Sequence, residues 1–351
     1  MKLSKPLKQL AFEDFFNVTP DYSHTLEFFD FCGAFVQSIG PAIKSAKLPV
    51  IREPFSHRGK EYVREIRPAS LIDDEGESMM YFPSKREELV MHALRYLAAQ
   101  QAIETGVAEP SNSVTVTFTL HQLRKELKAR GHGYNWTELD EALQILSTAT
   151  LQISYGKKRT DRWTAPYLYS LMSRDAAGVG ASSMRSATLH PLASLAINNI
   201  ATRPLNYGRM MRFKNPLARW LHNRLTHFCT NASHWKVSHA MDNSAPIGMR
   251  ITLKEIFEQY GLPEASRRSN NYQVVRKALA ELVKLGVLHD NAEPPGIGEP
   301  YTENLKTAEG EMWTLYPSRE VVSEIIEANK RGTRPQDRLG NIEDEDKQEE
   351  T

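Results

Sequence analysis

Two hydrophobic periods alternate along the 351-residue chain, one helical and one extended, and together they divide most of it into elements. Residues 23–39, SHTLEFFDFCGAFVQSI, read as one short helix ended by Gly40-Pro41. EYVREIRPASLI and SMMYF, flanking DDEGE at 73–77, read as a hairpin. PSKREELVMHALRYLAAQQAIETG sets Leu89, Ala93, Leu94 and Leu97 on one helical stripe, with Ser84 and Glu87 as a capping box. SVTVTFTL alternates as a strand, and TLHQLRKELKARG is a helix capped by Thr119 and stopped by Gly131. NWTELDEALQILSTATLQISYG gives a third helix from near Thr137 that leaves as the strand LQISY. GKKRTDRWTAP then forms a polar, basic tip, with YLYSLMSRD as the returning antiparallel partner.

Three helices followed by a basic two-stranded flap make a winged helix, and the order repeats. NPLARWLHNRLTHFC is a helix with Pro216 in its first turn, RITLKEIFEQYG is a strand end and capped helix, and SRRSNNYQVVRKALAELVKLGVLHD is the third helix. FTLHQL aligns on ITLKEI at an offset of 133, and ALQILSTATLQI on ALAELVKLGVLH at 136, so three extra residues in the intervening turn reconcile the copies. The expected fold is α+β and mainly helical: an N-terminal extension at 1–56, winged-helix domains at 57–185 and 186–330, and a disordered acidic tail at 331–351.

Composition changes this picture only when it is divided. The net charge is +1, yet residues 203–289 hold 14 Lys/Arg against 5 Asp/Glu, whereas residues 337–351 hold 7 acids against 2 bases. A basic fold suits phosphate binding, because releasing counterions from a nucleic-acid backbone supplies most non-specific affinity. The tail RLGNIEDEDKQEET is poor in apolar residues and repels itself, so it is expected to compete for that basic surface.

In a helix-turn-helix the second helix enters the major groove and its first residues face base edges. Here those residues are Ser266, Arg267, Arg268, Ser269, Asn270, Asn271, Tyr272 and Gln273, with Arg276 and Lys277 one turn on for phosphates. Arginine pairs guanine, and asparagine or glutamine pairs adenine, through two parallel hydrogen bonds. An Arg-Arg pair alone is ordinarily a solvated surface; its place in a repeated module, in the basic segment and before the turn-rich wing NAEPPGIGEPYTENLKTAEG, points to double-stranded DNA. The equivalent start in the first module, GHGYNWTELDEAL, carries Glu138, Asp140 and Glu141, which repel phosphates. That module is expected to touch DNA through Lys157, Lys158, Arg159 and Arg162 on its wing, or else to serve as a dimerisation module.

The chain resembles the plasmid replication initiator (Rep) family, proteins with two winged-helix domains that bind direct repeats, or iterons, at a plasmid origin. YFPSKREELVMHALRYLA, LDEALQILSTATLQISY and MMRFKNPLARWLHNRLTH leading into RITLKEIFEQYG carry the resemblance, over about residues 60–325. It implies origin opening with the host initiator, recruitment of host helicase, and exchange between a DNA-binding monomer and a dimer. It also places the principal reader helix on 266–277. QLAFEDFF at 9–16 is loosely similar to sliding-clamp docking motifs but lacks their leucine-phenylalanine ending, so a packing role is expected there.

Enzymatic signatures are missing from the sequence. There is no His-x-His pair for a rolling-circle nickase, no G-x-x-x-x-G-K-[ST] loop and no H-E-x-x-H, and GVGASS at 178–183 is an ordinary loop. Asp73, Asp74 and Glu75 could in principle serve a nuclease but sit on a hairpin turn. The expectation is a protein that binds and does not catalyse, with no catalytic residue, metal or cofactor. Two cysteines, Cys32 and Cys229, give neither a disulfide framework nor a zinc site, and no run of 18 apolar residues occurs, so a cytoplasmic protein with no membrane contact is expected. The alternative is a winged-helix transcriptional repressor or partition regulator, which would need palindromic half-sites where an initiator needs direct repeats.

Overall fold

The computed structural model describes residues 22–25, 32–37, 44–45, 48–57, 60–72, 76–105, 114–155, 161–173, 183–190, 203–231, 248–262, 265–289, 300–307 and 310–325. Its elements in chain order are β1 (Tyr22–Thr25), β2 (Lys44–Ser45), β3 (Ile51–His57), β4 (Lys60–Arg67), β5 (Ala69–Ile72), β6 (Ser78–Tyr81) and α1 (Lys85–Thr105). Next come β7 (Thr115–Thr119), α2 (Leu120–Ala129), α3 (Trp136–Thr148), β8 (Thr150–Tyr155), β9 (Asp161–Pro166), β10 (Leu168–Ser173) and β11 (Met184–Leu189). The remainder is β12 (Arg203–Asn206), α4 (Tyr207–Arg212), α5 (Pro216–Asn231), β13 (Met249–Thr252), α6 (Leu253–Glu255) continuing as a π-helix (Ile256–Tyr260), α7 (Arg268–Lys284), β14 (Tyr301–Thr307) and β15 (Gly310–Leu315). The fold is a mixed α+β one.

One order of elements occurs twice. A long helix (α1 or α5) is followed by a strand (β7 or β13) and two helices, and a later hairpin brings its last strand back beside that strand, giving sheets β10–β11–β7 and β13–β15–β14; in the first copy β8 and β9 intervene before the hairpin. Phe118 lies opposite Arg185 in one and Ile251 opposite Trp313 in the other. The same local chemistry starts both second helices. Thr119 Oγ1 accepts from Gln122 N at 3.1 Å while Gln122 Oε1 accepts from Thr119 N at 2.8 Å. At the offset of 133, Thr252 Oγ1 accepts from Glu255 N at 3.1 Å and Glu255 Oε2 from Thr252 N at 2.8 Å. Both segments end on a left-handed glycine, Gly131 at φ 87° and Gly261 at φ 75°.

Three expected elements differ in part. β8 does not pair with the YLYSLMS segment. It pairs with β9 on one side and β4 on the other, within a sheet ordered β3–β4–β8–β9. Pro166 ends β9, and the next two residues, Tyr167 and Leu168, are fully buried, so the chain enters the core there and starts a new strand whose partner is β11. Residues 23–39 are not one helix: Tyr22–Thr25 forms β1 on β12, and 32–37 are turns and bends around Gly33, whose φ of 59° interrupts a helix. The 61–72 segment breaks at Pro68 into β4, which pairs with β3, and β5, which makes the expected hairpin with β6. The expected wing loop contains strand β14, and its residues 290–299 lie outside the described ones.

Two hydrophobic cores result. The first gathers Leu89, Leu94, Phe118, Leu123, Leu143, Leu146 and Ile66, and extends to Tyr207, Met210 and Met211; β11, on its sheet, runs across the expected 185/186 boundary. The second gathers Phe213, Leu217, Leu221, Ile251, Val275, Leu279, Leu282 and Trp313. Buried arginines cross between them. Arg219 on α5 donates to Glu88 on α1 at 2.6 Å and to Phe213 O at 3.0 Å. Arg64 on β4 donates to Cys32 O and Gln259 O, each at 3.0 Å, and a Cβ at Gly33 or Gly261 would run into its guanidinium. Arg209 on α4 donates to Glu324 at 2.6 Å and Glu320 at 2.7 Å, tying down the helical residues 319–325.

Candidate nucleic-acid interface

Helix α7 has three faces with different fates. Its apolar face, Val275, Ala278, Leu279 and Leu282, is fully buried in the second core and fixes the helix there. Asn271 lies on that same face and is 2% exposed. Its Oδ1 accepts from Ala265 N at 2.8 Å and its Nδ2 donates to Ala265 O at 3.4 Å, so the amide fastens the turn before the helix. Expected among the base readers, Asn271 is turned inward because a buried amide must be satisfied and the Ala265 backbone satisfies it. Asn271→Ala should destabilise the protein by about 1–3 kcal/mol, read as a lower urea midpoint, because it strands the Ala265 N–H.

The second face, Arg268, Tyr272 and Arg276, is spaced by four residues and lies against the hairpin β14–β15. Arg276 donates to Glu303 through Nε at 2.9 Å and Nη2 at 2.7 Å, and Glu303 also accepts from Trp313 Nε1 at 3.0 Å. Tyr272 donates its hydroxyl to Glu311 at 2.8 Å, and Arg268 pairs with the same carboxylate. Tyr272 meets the Trp313 ring edge-on at 6.2 Å. The hydrogen bond from Arg276 holds the Glu303 carboxyl below the usual range, and that from Tyr272 does the same for Glu311. Both acids are therefore ionised anchors for the helix rather than free wing residues.

The third face is open. Ser266 and the extended N-cap Arg267, which lead into the helix, and Ser269, Asn270, Gln273 and Lys277 on it are exposed, and no bond or ion pair of their side chains to another described residue is formed. Asn270, Gln273, Lys277, Ala280 and Lys284 succeed one another at three- and four-residue steps along this face, all exposed. Lys284 was not among the expected contacts; its distance of seven residues from Lys277 was the signal for it.

In the first unit the corresponding helix, α3, keeps its charges to itself. Asn135 Oδ1 accepts from Glu138 N at 2.8 Å and Glu138 answers to Asn135 N at 2.7 Å. Glu141 pairs with Arg86 at 2.6 Å, and Asp140 pairs with Arg185 on β11. His132 bonds Met211 O at 2.6 Å, and the Arg124 guanidinium lies 4.5 Å from the centre of the Trp136 ring. Arg162 is exposed on β9 opposite Ser154. Lys157, Lys158 and Arg159 lie outside the described residues, as do 9–16, Asp73, Asp74 and Glu75, 178–182 and the tail at 331–351. Among the described residues no three His, Cys, Asp or Glu side chains are grouped to hold a metal ion, and no helix is long and apolar enough to cross a membrane.

No family model matches the chain, and no curated protein matches it. Among solved structures it is similar to two crystal structures of domains 2 and 3 of RctB. The first is 9% identical with a TM-score of 0.43, covering 84% of this chain and 98% of that one. The second, of selenomethionine derivatives, is 10% identical with a TM-score of 0.43, covering 82% and 95%.

Proposed function

We propose that the chain is a sequence-specific double-stranded DNA-binding protein, a plasmid replication initiator of two winged-helix units, in which α7 enters the major groove of origin iterons. The observation that carries this reading is the division of α7: one face buried, one anchored to a hairpin, and one left open with a row of amide and cationic side chains. A strand, two helices and a returning hairpin are the parts of a winged helix, and its second helix is the one that docks in the groove. The basic excess of residues 203–289 supplies the sequence-independent part of affinity.

On this reading the protein works by binding rather than by catalysis and without a cofactor, in the bacterial cytoplasm. Origin opening with host initiator, helicase recruitment and a monomer–dimer exchange follow from the resemblance to plasmid initiators. Gel shifts and footprints on the direct repeats of its own replicon test it. Tight binding to head-to-tail repeats and weak binding to scrambled DNA are expected; equal binding to both would sink the proposal, and a single palindromic footprint would favour a repressor. Lys277→Ala should weaken binding to all duplexes alike and reduce the slope of log affinity against log salt by about 1, as one lost phosphate contact requires.

A further inference from the structure

We infer that base readout belongs to three side chains, Arg267, Asn270 and Gln273, and that the duplex they read presents one G·C and two A·T pairs within three or four consecutive base pairs. The inference rests on the DNA-binding reading above and deepens it by naming the sequence class of the ligand.

It starts from what the fold withholds. Of the residues at the front of α7 whose chemistry can distinguish bases, Asn271 is 2% exposed and its amide is spent on Ala265. Arg276 gives two N–H groups to Glu303, at 2.9 and 2.7 Å, and Arg268 and Tyr272 are both engaged by Glu311. Glu303 holds the Arg276 guanidinium side-on and Glu311 pairs with Arg268, so both cations are drawn toward the hairpin rather than left on the open face. Ser266 and Ser269 are exposed, but a hydroxyl pairs with any base and selects none. Arg267, Asn270 and Gln273 remain, all exposed, and each has the two-pronged geometry that reads one base: arginine for guanine, the two amides for adenine.

Their spacing fits a short run of base pairs. At about 1.5 Å of rise per residue, six residues from 267 to 273 advance about 9 Å, close to three base steps of about 3.4 Å. Lys277 and Lys284 continue the same face by about one and three further turns, where the groove wall offers phosphates rather than base edges.

The anchored face explains why these three and not their neighbours are presented. Glu303 and Glu311 project from paired strands, and through Arg276, Tyr272 and Arg268 they hold three successive turns of the helix. Trp313, fully buried and bonded to Glu303, fixes that carboxylate in turn. Rotating α7 by one residue, about 100°, would bring Arg268 and Arg276 round to the groove in place of Asn270 and Gln273. The two acids are thus positioning residues: they set the rotation of the helix about its axis and so choose the readers.

Selection from a randomised duplex library, with the full-length protein and its variants, tests this. The wild type should enrich a window with one guanine and two adenines within four base pairs. Arg267→Ala, Asn270→Ala and Gln273→Ala should each flatten a different single position, by about 5- to 150-fold in competition binding, and leave the other positions sharp. Glu303→Gln, which weakens the hold on Arg276, should blur the three read positions together and steepen the salt dependence by about one phosphate contact, whereas misfolding would abolish enrichment altogether. A sharp motif lacking that window, or one untouched by Asn270→Ala and Gln273→Ala, overturns the inference and leaves DNA binding standing. Failure of the wild type to enrich any sequence overturns both.

Discussion

Glu88→Ala should lower the free energy of unfolding by about 3–5 kcal/mol, among the largest losses a single substitution in this chain can cause. Arg219 is fully buried, and among the described residues it donates to Glu88 at 2.6 Å and to Phe213 O at 3.0 Å. Burial alone would push the Glu88 carboxyl up, but Arg219 and His92 outweigh it and hold the group below its ordinary value. Truncating Glu88 leaves a guanidinium in the interior without its counter-ion, and that stranded charge is the source of the loss. Glu88→Leu combined with Arg219→Met, which empties the site of both charges, should recover most of it. Urea denaturation of the two single variants and the double variant measures the difference, and a loss under about 1 kcal/mol for Glu88→Ala would mean that water reaches the pair. The pair joins α1 to α5, one helix from each repeated unit, so on the proposed DNA-binding reading its loss should also give a footprint of less regular edges.

Much of the scaffold could be read from local chemistry. Thr119 and Thr252 cap helices as their neighbours three residues on require, Gly131 stops one, and Pro216 opens another. The offsets of 133 and 136 between the copies correspond to a repeated strand and two helices, after which the first copy inserts β8 and β9 before its returning hairpin. Partner choice was the part that periodicity could not supply. An alternating segment such as LQISY announces a strand but not its neighbour, and β8 pairs both with β9, a few residues away, and with β4, far back in the sequence. β1 finds β12 across most of the chain, and Gly33 leaves the helical region beside an arginine from β4.

The candidate site was half legible for the same reason. Asn271 carried its own signal: it stands four residues before Val275 and seven before Ala278, on the buried stripe, so a polar residue there had to be satisfied inside. The anchoring of Arg268, Tyr272 and Arg276 carried none. Their even spacing shows one face, but the carboxylates that hold them, Glu303 and Glu311, arrive on a hairpin that only the folded sheet brings alongside.

Acidification from pH 7 to about 4.5 should cost roughly 5 kcal/mol of stability through two buried histidines, one in each unit. His190 is fully buried near the Tyr167 ring, and burial, with Arg95 nearby, pushes its pKa down to about 3 from an ordinary 6.5. His222 is 2% exposed against Phe213, and burial together with Arg209 pushes it likewise to about 3. Both rings are neutral when folded and take a proton readily when unfolded. Their contribution is therefore complete above about pH 6.5 and is lost as pH falls toward 3, by about 1.4 kcal/mol per pH unit for each ring. His92 and His132 are lowered as well, chiefly by burial, and act in the same direction. Urea midpoints taken from pH 7.5 to 4.5 read the slope, and His222→Gln should reduce it by one proton's worth; an unchanged slope would show that His222 is already charged in the folded protein. No histidine lies between Ser266 and Lys284. On the proposed reading, DNA affinity of the folded fraction should accordingly stay level over that range while the fraction itself declines, which separates acid unfolding from any titration at α7.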